Sequence, residues 1–297
     1  MVCMLGRASR PNLTVVSLDE IAYATSDGIA TVTLNRPEMR NAISGRSGGT
    51  RDQIIEALVI AESDDNLRCI ILNGAGKSFC CGGDLTGNSR RETYEDDLAF
   101  LETADAFHAR VRSSTKPIIA AVHGHCLGAG LLLAMSCDFV LAAESTLFGF
   151  PEARLGLVGA TTLVDVVGRQ WAKFLMTTGE LISAAQAHEL GLVFSVEPDG
   201  ELGARAFDLA RRLTRMPSQS VLANRRAIDA AADAGGATSL RGAAMKADAH
   251  TLGLAALATA PDGRTFRSII DSDGIAGMKA AQAQQYSENW LRSTTSW

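Results

Sequence analysis

The fold is decided by two stretches in which an apolar segment runs directly into glycines. They are Cys69-Ile-Ile-Leu-Asn-Gly-Ala-Gly-Lys-Ser-Phe-Cys-Cys-Gly-Gly-Asp84 and Pro117-Ile-Ile-Ala-Ala-Val-His-Gly-His-Cys-Leu-Gly-Ala-Gly130. Each apolar segment predicts a buried strand, and the small residues after it predict a turn whose backbone N–H groups stay accessible to a ligand. The second turn continues into Leu131-Leu-Leu-Ala-Met135, so its N–H groups are expected at a helix N-terminus, where negative charge is favoured. Two such N–H groups predict an oxyanion hole, which stabilises an enolate or a tetrahedral oxyanion.

The remaining pattern alternates strands and helices. Residues 20–36 predict a hairpin around Ser26-Asp27-Gly28, followed by a helix over about 52–63 and a strand over 69–72. A polar loop over 86–93 and a helix over about 96–112 come next, and Pro117 precedes another strand. From residue 160 onward the pattern is almost wholly helical, with a helix stop and a return to extended chain at 191–193. This order indicates an α/β chain with a largely buried sheet.

Composition argues against several classes of protein. The 297 residues carry a net charge of −5, and basic residues cluster only in pairs such as Arg90-Arg91, so nucleic acid is not an expected partner. Six scattered cysteines without a C-x-x-C pair predict neither a zinc site nor a disulfide framework, which fits a reducing, cytoplasmic setting. The apolar stretch 118–135 is interrupted by His123, His125 and glycines, so a strand and a helix explain it better than a membrane span.

Three nucleotide or nucleophile motifs are absent or incomplete. Gly74-Ala-Gly-Lys-Ser78 lacks a P-loop because Ile71 stands where its first glycine must be. Gly124, Gly128 and Gly130 have the wrong order for the dinucleotide fingerprint, and there is no G-x-S-x-G nucleophile elbow.

A set of motifs identifies a family resemblance. They are Ile29-Ala-Thr-Val-Thr-Leu-Asn-Arg-Pro-Glu-Met-Arg-Asn-Ala-Ile43, the Gly-Lys-Ser-Phe-x-x-Gly-Gly-Asp-Leu run that ends at Leu85, Phe148-Gly-Phe-Pro-Glu-Ala-Arg-Leu-Gly156, and Thr178-Gly-Glu-Leu-Ile-Ser-Ala-Ala-Gln-Ala-His-Glu-Leu-Gly-Leu-Val193. Together they closely resemble the crotonase (enoyl-CoA hydratase/isomerase) family over residues 15–196.

The resemblance implies an α/β fold, a crotonase-like spiral of ββα units with a C-terminal helical oligomerisation region. We accordingly expect a flexible extension over 1–14, a core with the acyl-CoA site over 15–200, and a helical region over 201–297. A weak organellar presequence is the alternative for the extension. The implied assembly is a homotrimer or a dimer of trimers, and the implied partner is an acyl-CoA substrate. No metal, prosthetic group, nucleic acid or membrane is expected; CoA enters as part of the substrate.

The resemblance also assigns roles to individual residues. It implies that the backbone N–H groups of Gly83 and Ala129 hold the thioester oxygen. Hydratases of this family use two glutamates, and here one position is Leu132 and the other is Glu152. Efficient two-glutamate hydration should therefore be impaired, whereas the family's 3-enoyl-CoA to 2-enoyl-CoA isomerases need only a glutamate at the position of Glu152. That role requires a raised pKa, which an apolar pocket of Phe148, Phe150, Leu131 and Leu132 could supply.

Other positions complete the expected site. The residues implied for CoA binding are Glu38, Met39, Arg40, Ala42, Phe79, Cys81, Gly83, Asp84 and Leu85. The family's basic residue near Thr86 and its basic-Pro ending are missing here, so the contacts to the CoA phosphates stay open, with Arg40 and Lys77 as candidates. Substitute acids are conceivable at Glu92, Glu95, Asp96, Asp97, Glu102, Asp105 and His108, and His125 could reach the substrate. Two alternatives stay open beside the isomerase: a hydratase with a substitute acid, and a catalytically weak acyl-CoA-binding protein. Other reactions that use the same oxyanion hole, such as thioester hydrolysis, also stay open.

Overall fold

The computed structural model describes residues 15–84, 93–155, 162–234, 236–255, 258–285 and 290–291. The predicted extension over 1–14 and nearly all of the predicted loop over 86–93 lie outside these residues. The described strands are β1 Val15–Ser17, β2 Ile21–Ser26, β3 Ile29–Leu34, β4 Cys69–Gly74, β5 Ile118–Val122, β6 His125–Leu127, β7 Phe139–Ala143, β8 Leu147–Gly149, β9 Leu181–Ser183 and β10 Ser195–Glu197. The helices are α1 Thr50–Ser63, α2 Tyr94–Arg112, α3 Ala129–Met135, α4 Leu163–Thr178, α5 Ala184–Glu189, α6 Leu202–Thr214, α7 Ser218–Asp233, α8 Ala237–Ala255 and α9 Phe266–Gln285.

The strands form two sheets. The larger has the order β1-β2-β3-β4-β5-β7-β10, and the smaller has the order β6-β8-β9. In the larger sheet β1, β2 and β3 pair antiparallel, and every pairing from β3 to β10 is parallel. Strand β6 of the smaller sheet lies inside the second glycine stretch.

The predicted hairpin is confirmed at residue level. Asp27 and Gly28 have φ angles of 53° and 75°, the left-handed pair that a two-residue turn between twisted strands requires. Glycine adopts this conformation without strain, and aspartate tolerates it better than most residues. The turn sets the register in which Ile21 faces Leu34.

The central strands are buried on both faces, as the continuous apolar runs predict. Alternate residues of β4 divide between two clusters: Ile70 and Leu72 join the main core with α1, α2 and α3, whereas Cys69 and Ile71 join a second cluster. Three small or apolar residues of α6 close the second cluster, namely Leu202, Ala206 and Ala210. The two glycine turns therefore follow strands of a sheet that is packed on both faces.

Two local predictions differ from the structure. Helix α1 begins at Thr50 rather than at residue 52, because Thr50 and Arg51 are buried and Thr50 bonds to Glu20. The segment after residue 160 contains the strand β9 among its helices, since Leu181–Ser183 pairs antiparallel with β8. Helices α6 to α9 occupy the C-terminal part, as the resemblance implies. Among the described residues, no helix combines the length and hydrophobicity needed to cross a membrane.

Candidate active site

The two glycine turns lie side by side. Cys80 N donates to His125 O at 3.0 Å, and Leu127 N donates to Cys80 O at 2.9 Å. The turns approach so closely that a Cβ on Gly130 would lie 2.6 Å from the Cβ of Cys80. Glycine is therefore required at position 130 for packing, apart from any role in binding.

The predicted oxyanion-hole residues occur at this junction. Gly83 pairs with Ile43 through a β-bridge, and Ala129 is the first residue of α3. A Cβ on Gly82, the residue before Gly83, would lie 3.9 Å from the backbone nitrogen of Ala129. Within the described residues, neither Gly83 N nor Ala129 N donates a backbone hydrogen bond. Two backbone donors on adjacent turns can stabilise an oxyanion, which is what the sequence predicts for them.

Arg36 and Asn41 hold the preceding motif against the first turn. The side chain of Asn41 donates to Ala75 O and Ser78 O at 2.8 and 2.7 Å and accepts from Arg36 N at 2.9 Å. Arg36 in turn donates to Ala42 O and to the carboxylate of Asp84, both at 2.8 Å. Asp84 thus braces the turn through its ion pair with Arg36.

The residues implied for CoA binding fall into two neighbouring segments. Cys81 N donates to Arg40 O at 3.1 Å, which ties the segment 38–42 to the first turn. Glu38, Met39 and Arg40 are exposed, as is Lys77, whereas Phe79 is fully buried in the core. Phe79 could therefore contribute only its backbone to a ligand. Leu85 lies outside the described residues.

Glu152 lies in a short 3-10 turn, Pro151–Leu155, that follows β8. Burial raises the pKa of Glu152 to about 7, and the negative charge of Asp248 adds to this rise. The flanking Phe148 and Phe150 are at most 1% exposed, and Leu131 and Leu132 pack into the same core. The turn is anchored by Arg154, which donates to Thr178 O at 3.0 Å and pairs with Glu180. The predicted rise in the pKa of Glu152 is confirmed, with burial as its main cause.

Asp248 is a buried carboxylate that influences Glu152 and that the sequence analysis did not identify. It is 6% exposed, on helix α8, which packs along α2. Its charge acts on Glu152 although the two residues are far apart in the chain. The surrounding Ala-rich segment does not indicate which of its faces packs inward, so no local signal identifies this residue.

Most of the conceivable substitute acids on α2 are exposed to solvent or take part in local structure. Glu95, Asp96 and Glu102 are exposed, Asp97 and Asp105 are half-buried, and Asp96 closes the capping box of the helix with Thr93. His108 is buried, and burial together with Arg112 and Arg51 lowers its pKa to about 3, so it is neutral at physiological pH and cannot serve as an acid. Glu92 lies outside the described residues.

The two histidines of the second turn bond to the first. His125 Nδ1 is 3.5 Å from Ser78 Oγ, and burial and Arg40 lower the pKa of His125. His123 Nε2 is 3.0 Å from Gly76 O, and His123 is half-buried just beyond the end of β5. Within the described part of the chain, no three His, Cys, Asp or Glu side chains are grouped as metal ligands.

Comparison with known proteins agrees with this geometry. The family model described as enoyl-CoA hydratase/isomerase matches residues 24–251. The chain is 37% identical to the 1,2-epoxyphenylacetyl-CoA isomerase of Escherichia coli over 69% of this chain and 79% of that protein. It is 33% identical to the 2,3-dehydroadipyl-CoA hydratase of the same organism over 71% of this chain and 82% of that one.

A solved structure shows the same architecture. An enoyl-CoA hydratase/isomerase from Xanthobacter autotrophicus Py2 superposes with a TM-score of 0.82 at 30% identity, covering 91% of this chain and 99% of that one. The chain belongs to the enoyl-CoA hydratase/isomerase family and has the crotonase fold.

Proposed function

We propose that this protein isomerises 3-enoyl-CoA thioesters to 2-enoyl-CoA thioesters, with Glu152 as the proton carrier. The observation that carries the proposal is the contrast between two positions beside the second turn. Glu152 is a carboxyl group with a pKa of about 7, and Leu132 is an apolar side chain where a two-glutamate hydratase needs its other acid. A pKa near the working pH suits a group that must both accept and return a proton.

The reaction requires one base and one oxyanion site. The Glu152 carboxylate removes a proton from C2, and the electron pair of that bond spreads over the thioester carbonyl and the C3–C4 double bond as a dienolate. The N–H groups of Gly83 and Ala129 donate to the dienolate oxygen, which carries more charge than the carbonyl of the substrate. Protonated Glu152 then delivers its proton to C4, so the double bond moves to C2–C3 and no atom is gained or lost.

The direct test is to incubate the purified protein separately with 2-enoyl-CoA and 3-enoyl-CoA of several chain lengths. Products are followed by mass spectrometry and by the absorbance of the conjugated thioester. We expect conversion of the 3-enoyl substrate without addition of water, and loss of that conversion in Glu152→Gln. Tight binding without any turnover would instead support the acyl-CoA-binding protein.

A second candidate function, hydration with a substitute acid, is favoured by one observation. Asp248 is buried and its charge raises the pKa of Glu152, so the site has two interacting carboxyl groups despite Leu132. One could activate water for attack at C3 while the other protonates C2. Under this alternative Asp248→Asn abolishes hydration of 2-enoyl-CoA and spares isomerisation. If the wild type forms no 3-hydroxyacyl-CoA, hydration is not the function.

We also propose an assembly and a cellular compartment. Large apolar residues remain exposed at Val164, Val166 and Phe194, which supports burial of further surface between subunits. We expect a homotrimer or a dimer of trimers in the cytoplasm. Light scattering coupled to gel filtration distinguishes these assemblies from a monomer.

A further inference from the structure

Among the described residues, a buried arginine near the first turn has no charged partner. Arg51, in the first turn of α1, is 7% exposed. Its guanidinium lies 3.4 Å from the position of a Cβ on Gly45 and 5.2 Å from the centre of the Phe100 ring. With the described residues, its side chain forms neither a hydrogen bond nor an ion pair. The neighbouring carboxylate of Asp52 accepts from Gly48 N instead.

This isolation is energetically unfavourable. Burial lowers the pKa of Arg51, yet an arginine keeps its charge at any physiological pH. A buried charge requires hydrogen-bonding or charged partners, and a cation–π contact with Phe100, worth about 2 kcal/mol when desolvated, does not satisfy the N–H donors. A partner from outside the chain would satisfy the guanidinium.

His108 is the second unsatisfied group of the same cluster. It is 7% exposed, and its Nδ1 has no hydrogen-bond partner among the described residues. His108 lies on α2, which packs against α1 and carries Phe100, the ring under the Arg51 guanidinium. Burial, then the charges of Arg112 and Arg51, lower the pKa of His108. A neutral imidazole can donate one N–H bond, and a guanidinium can donate several. Together they are matched to an anion with two oxygens.

The cluster of Arg51 and His108 lies near the predicted oxyanion hole. Gly45, which the guanidinium approaches, is two residues beyond Ile43, and Ile43 pairs with Gly83. Phe100 and His108 belong to α2, which also contacts α3, the helix that begins at Ala129. Two residues and one β-bridge therefore connect Gly45, beside the guanidinium, to Gly83, a path of about 12 Å.

We propose that Arg51, assisted by His108, binds a carboxylate at the far end of the acyl group. The preferred substrates are then CoA thioesters of dicarboxylic acids. This inference rests on the proposed function, in which the thioester oxygen is bound at Gly83 and Ala129. A phosphate of CoA offers similar chemistry, but a carboxylate fits better because the guanidinium is nearly enclosed and the second donor is a single imidazole N–H.

The test compares two unreactive thioesters of equal length, adipyl-CoA and hexanoyl-CoA, by calorimetry. Hydrogen bonds to a charged group are worth about 1.5–3 kcal/mol, so we expect adipyl-CoA to bind about 10- to 100-fold more tightly. Arg51→Met should remove this preference and leave hexanoyl-CoA affinity unchanged, whereas Arg51→Lys should keep part of it. Arg211→Met, an exposed arginine of α6, removes the same charge elsewhere and should change neither affinity.

Each result decides the inference. Equal affinity of the wild type for both thioesters overturns it, and this measurement needs no variant to fold. A loss of hexanoyl-CoA affinity in Arg51→Met that disappears with dephospho-CoA thioesters also overturns it, because Arg51 then binds a CoA phosphate. If 3-hexenoyl-CoA is isomerised without any carboxylate preference, the inference fails and the proposed function stands. Selective adipyl-CoA binding, together with no isomerisation of 3-enoyl-CoA thioesters with or without a terminal carboxylate, supports the inference and rejects the proposed reaction.

Discussion

The carboxylate of Glu152 lies directly against the backbone of Gly128. A Cβ on Gly128 would be 2.7 Å from Glu152 Oε1 and 2.8 Å from Oε2, and Gly128 has a φ of +52°. Gly128 is also the N-cap of α3, next to Ala129. The proposed proton carrier and one predicted oxyanion donor are therefore positioned by the same turn, so a change in that turn should affect both.

Gly128→Ala should impair activity and stability together. The methyl group would meet the Glu152 carboxylate, and alanine is strained at this φ, for a combined cost of about 2–4 kcal/mol. Displacement of Glu152 should lower kcat/KM by roughly 100-fold. Isomerase kinetics and urea unfolding measure the two effects.

Gly83→Ala is the matched control for stability. A Cβ on Gly83 would have no atom within 4 Å among the described residues. We expect the same unfolding midpoint as the wild type. If Gly128→Ala is as stable and as active as the wild type, the Glu152 carboxylate does not lie against Gly128.

The pH dependence of kcat/KM should follow the ionisation of Glu152. Burial, then the charge of Asp248, raises its pKa to about 7, and the base must be deprotonated in the free enzyme. Activity should therefore rise through pH 7 and level off above it. Asp248→Asn removes a negative neighbour, so the pKa of Glu152 falls and the rise moves to lower pH.

His125 provides the control for this assignment, since burial and Arg40 lower its pKa below the ordinary histidine value. His125→Gln should leave the rise at pH 7. A profile that is flat between pH 6 and 8 in the wild type contradicts the role of Glu152.

Glu152→Gln should stabilise the fold in alkaline solution while it abolishes turnover. The folded-state pKa of about 7 lies above the ordinary value of 4.5, so ionisation of Glu152 opposes folding. The stability of the wild type should decline between these two pH values, by about 3 kcal/mol in total. The variant should lack this decline, as chemical denaturation at pH 4 and pH 8 would measure. If the free energy of unfolding declined equally with pH in the two proteins, that would falsify ionisation of Glu152 in the folded state.

Much of this site could be predicted because its signals are local. The hairpin at Asp27 and Gly28, the strand β4 and the two glycine turns depend on short patterns of apolar and small residues. The order of the motifs then indicated Glu152 and the apolar residue at 132. Even the direction of the pKa shift followed, since phenylalanines flank Glu152 in the sequence.

The remainder depends on contacts between distant segments. Leu181–Ser183 is a strand because β8 lies beside it, although its neighbours predict helix. Asp248 acts on Glu152 only because α8 packs along α2, and its Ala-rich sequence does not define that packing. In the sequence Arg51 is an ordinary charged residue near a helix start. The structure shows that it is buried and that its side chain forms no hydrogen bond or ion pair with the described residues.

Leu132→Glu should shift the reaction toward hydration. The new carboxyl group would occupy the position at which the family's hydratases have their other glutamate, and general acid–base groups contribute roughly 10²–10⁴ in rate. Leu132 packs against the core, so some stability should be lost. The ratio of 3-hydroxyacyl-CoA to 2-enoyl-CoA, measured by mass spectrometry, reports the change.

Leu132→Gln has nearly the same shape without the charge, and it should form no 3-hydroxyacyl-CoA. If the Gln variant hydrates as well as the Glu variant, the added polarity rather than a second acid is responsible. If neither variant hydrates, Leu132 does not face the reacting carbons.

Arg36→Met should weaken substrate binding and destabilise the fold, because Arg36 connects three parts of the site. It pairs with Asp84 at 2.8 Å, donates to Ala42 O at 2.8 Å and lies 3.8 Å from Glu20. Both carboxylates are buried, so loss of the cation should cost about 3 kcal/mol. The segment that is predicted to bind CoA would lose its attachment to the first turn, and KM should rise more than kcat falls.

Arg110→Met is the matched control, since Arg110 forms a two-bond ion pair with Glu62 away from both turns. It should lower stability with KM unchanged, and a similar rise in KM in both variants would show that general destabilisation, rather than the brace at Asp84, controls binding.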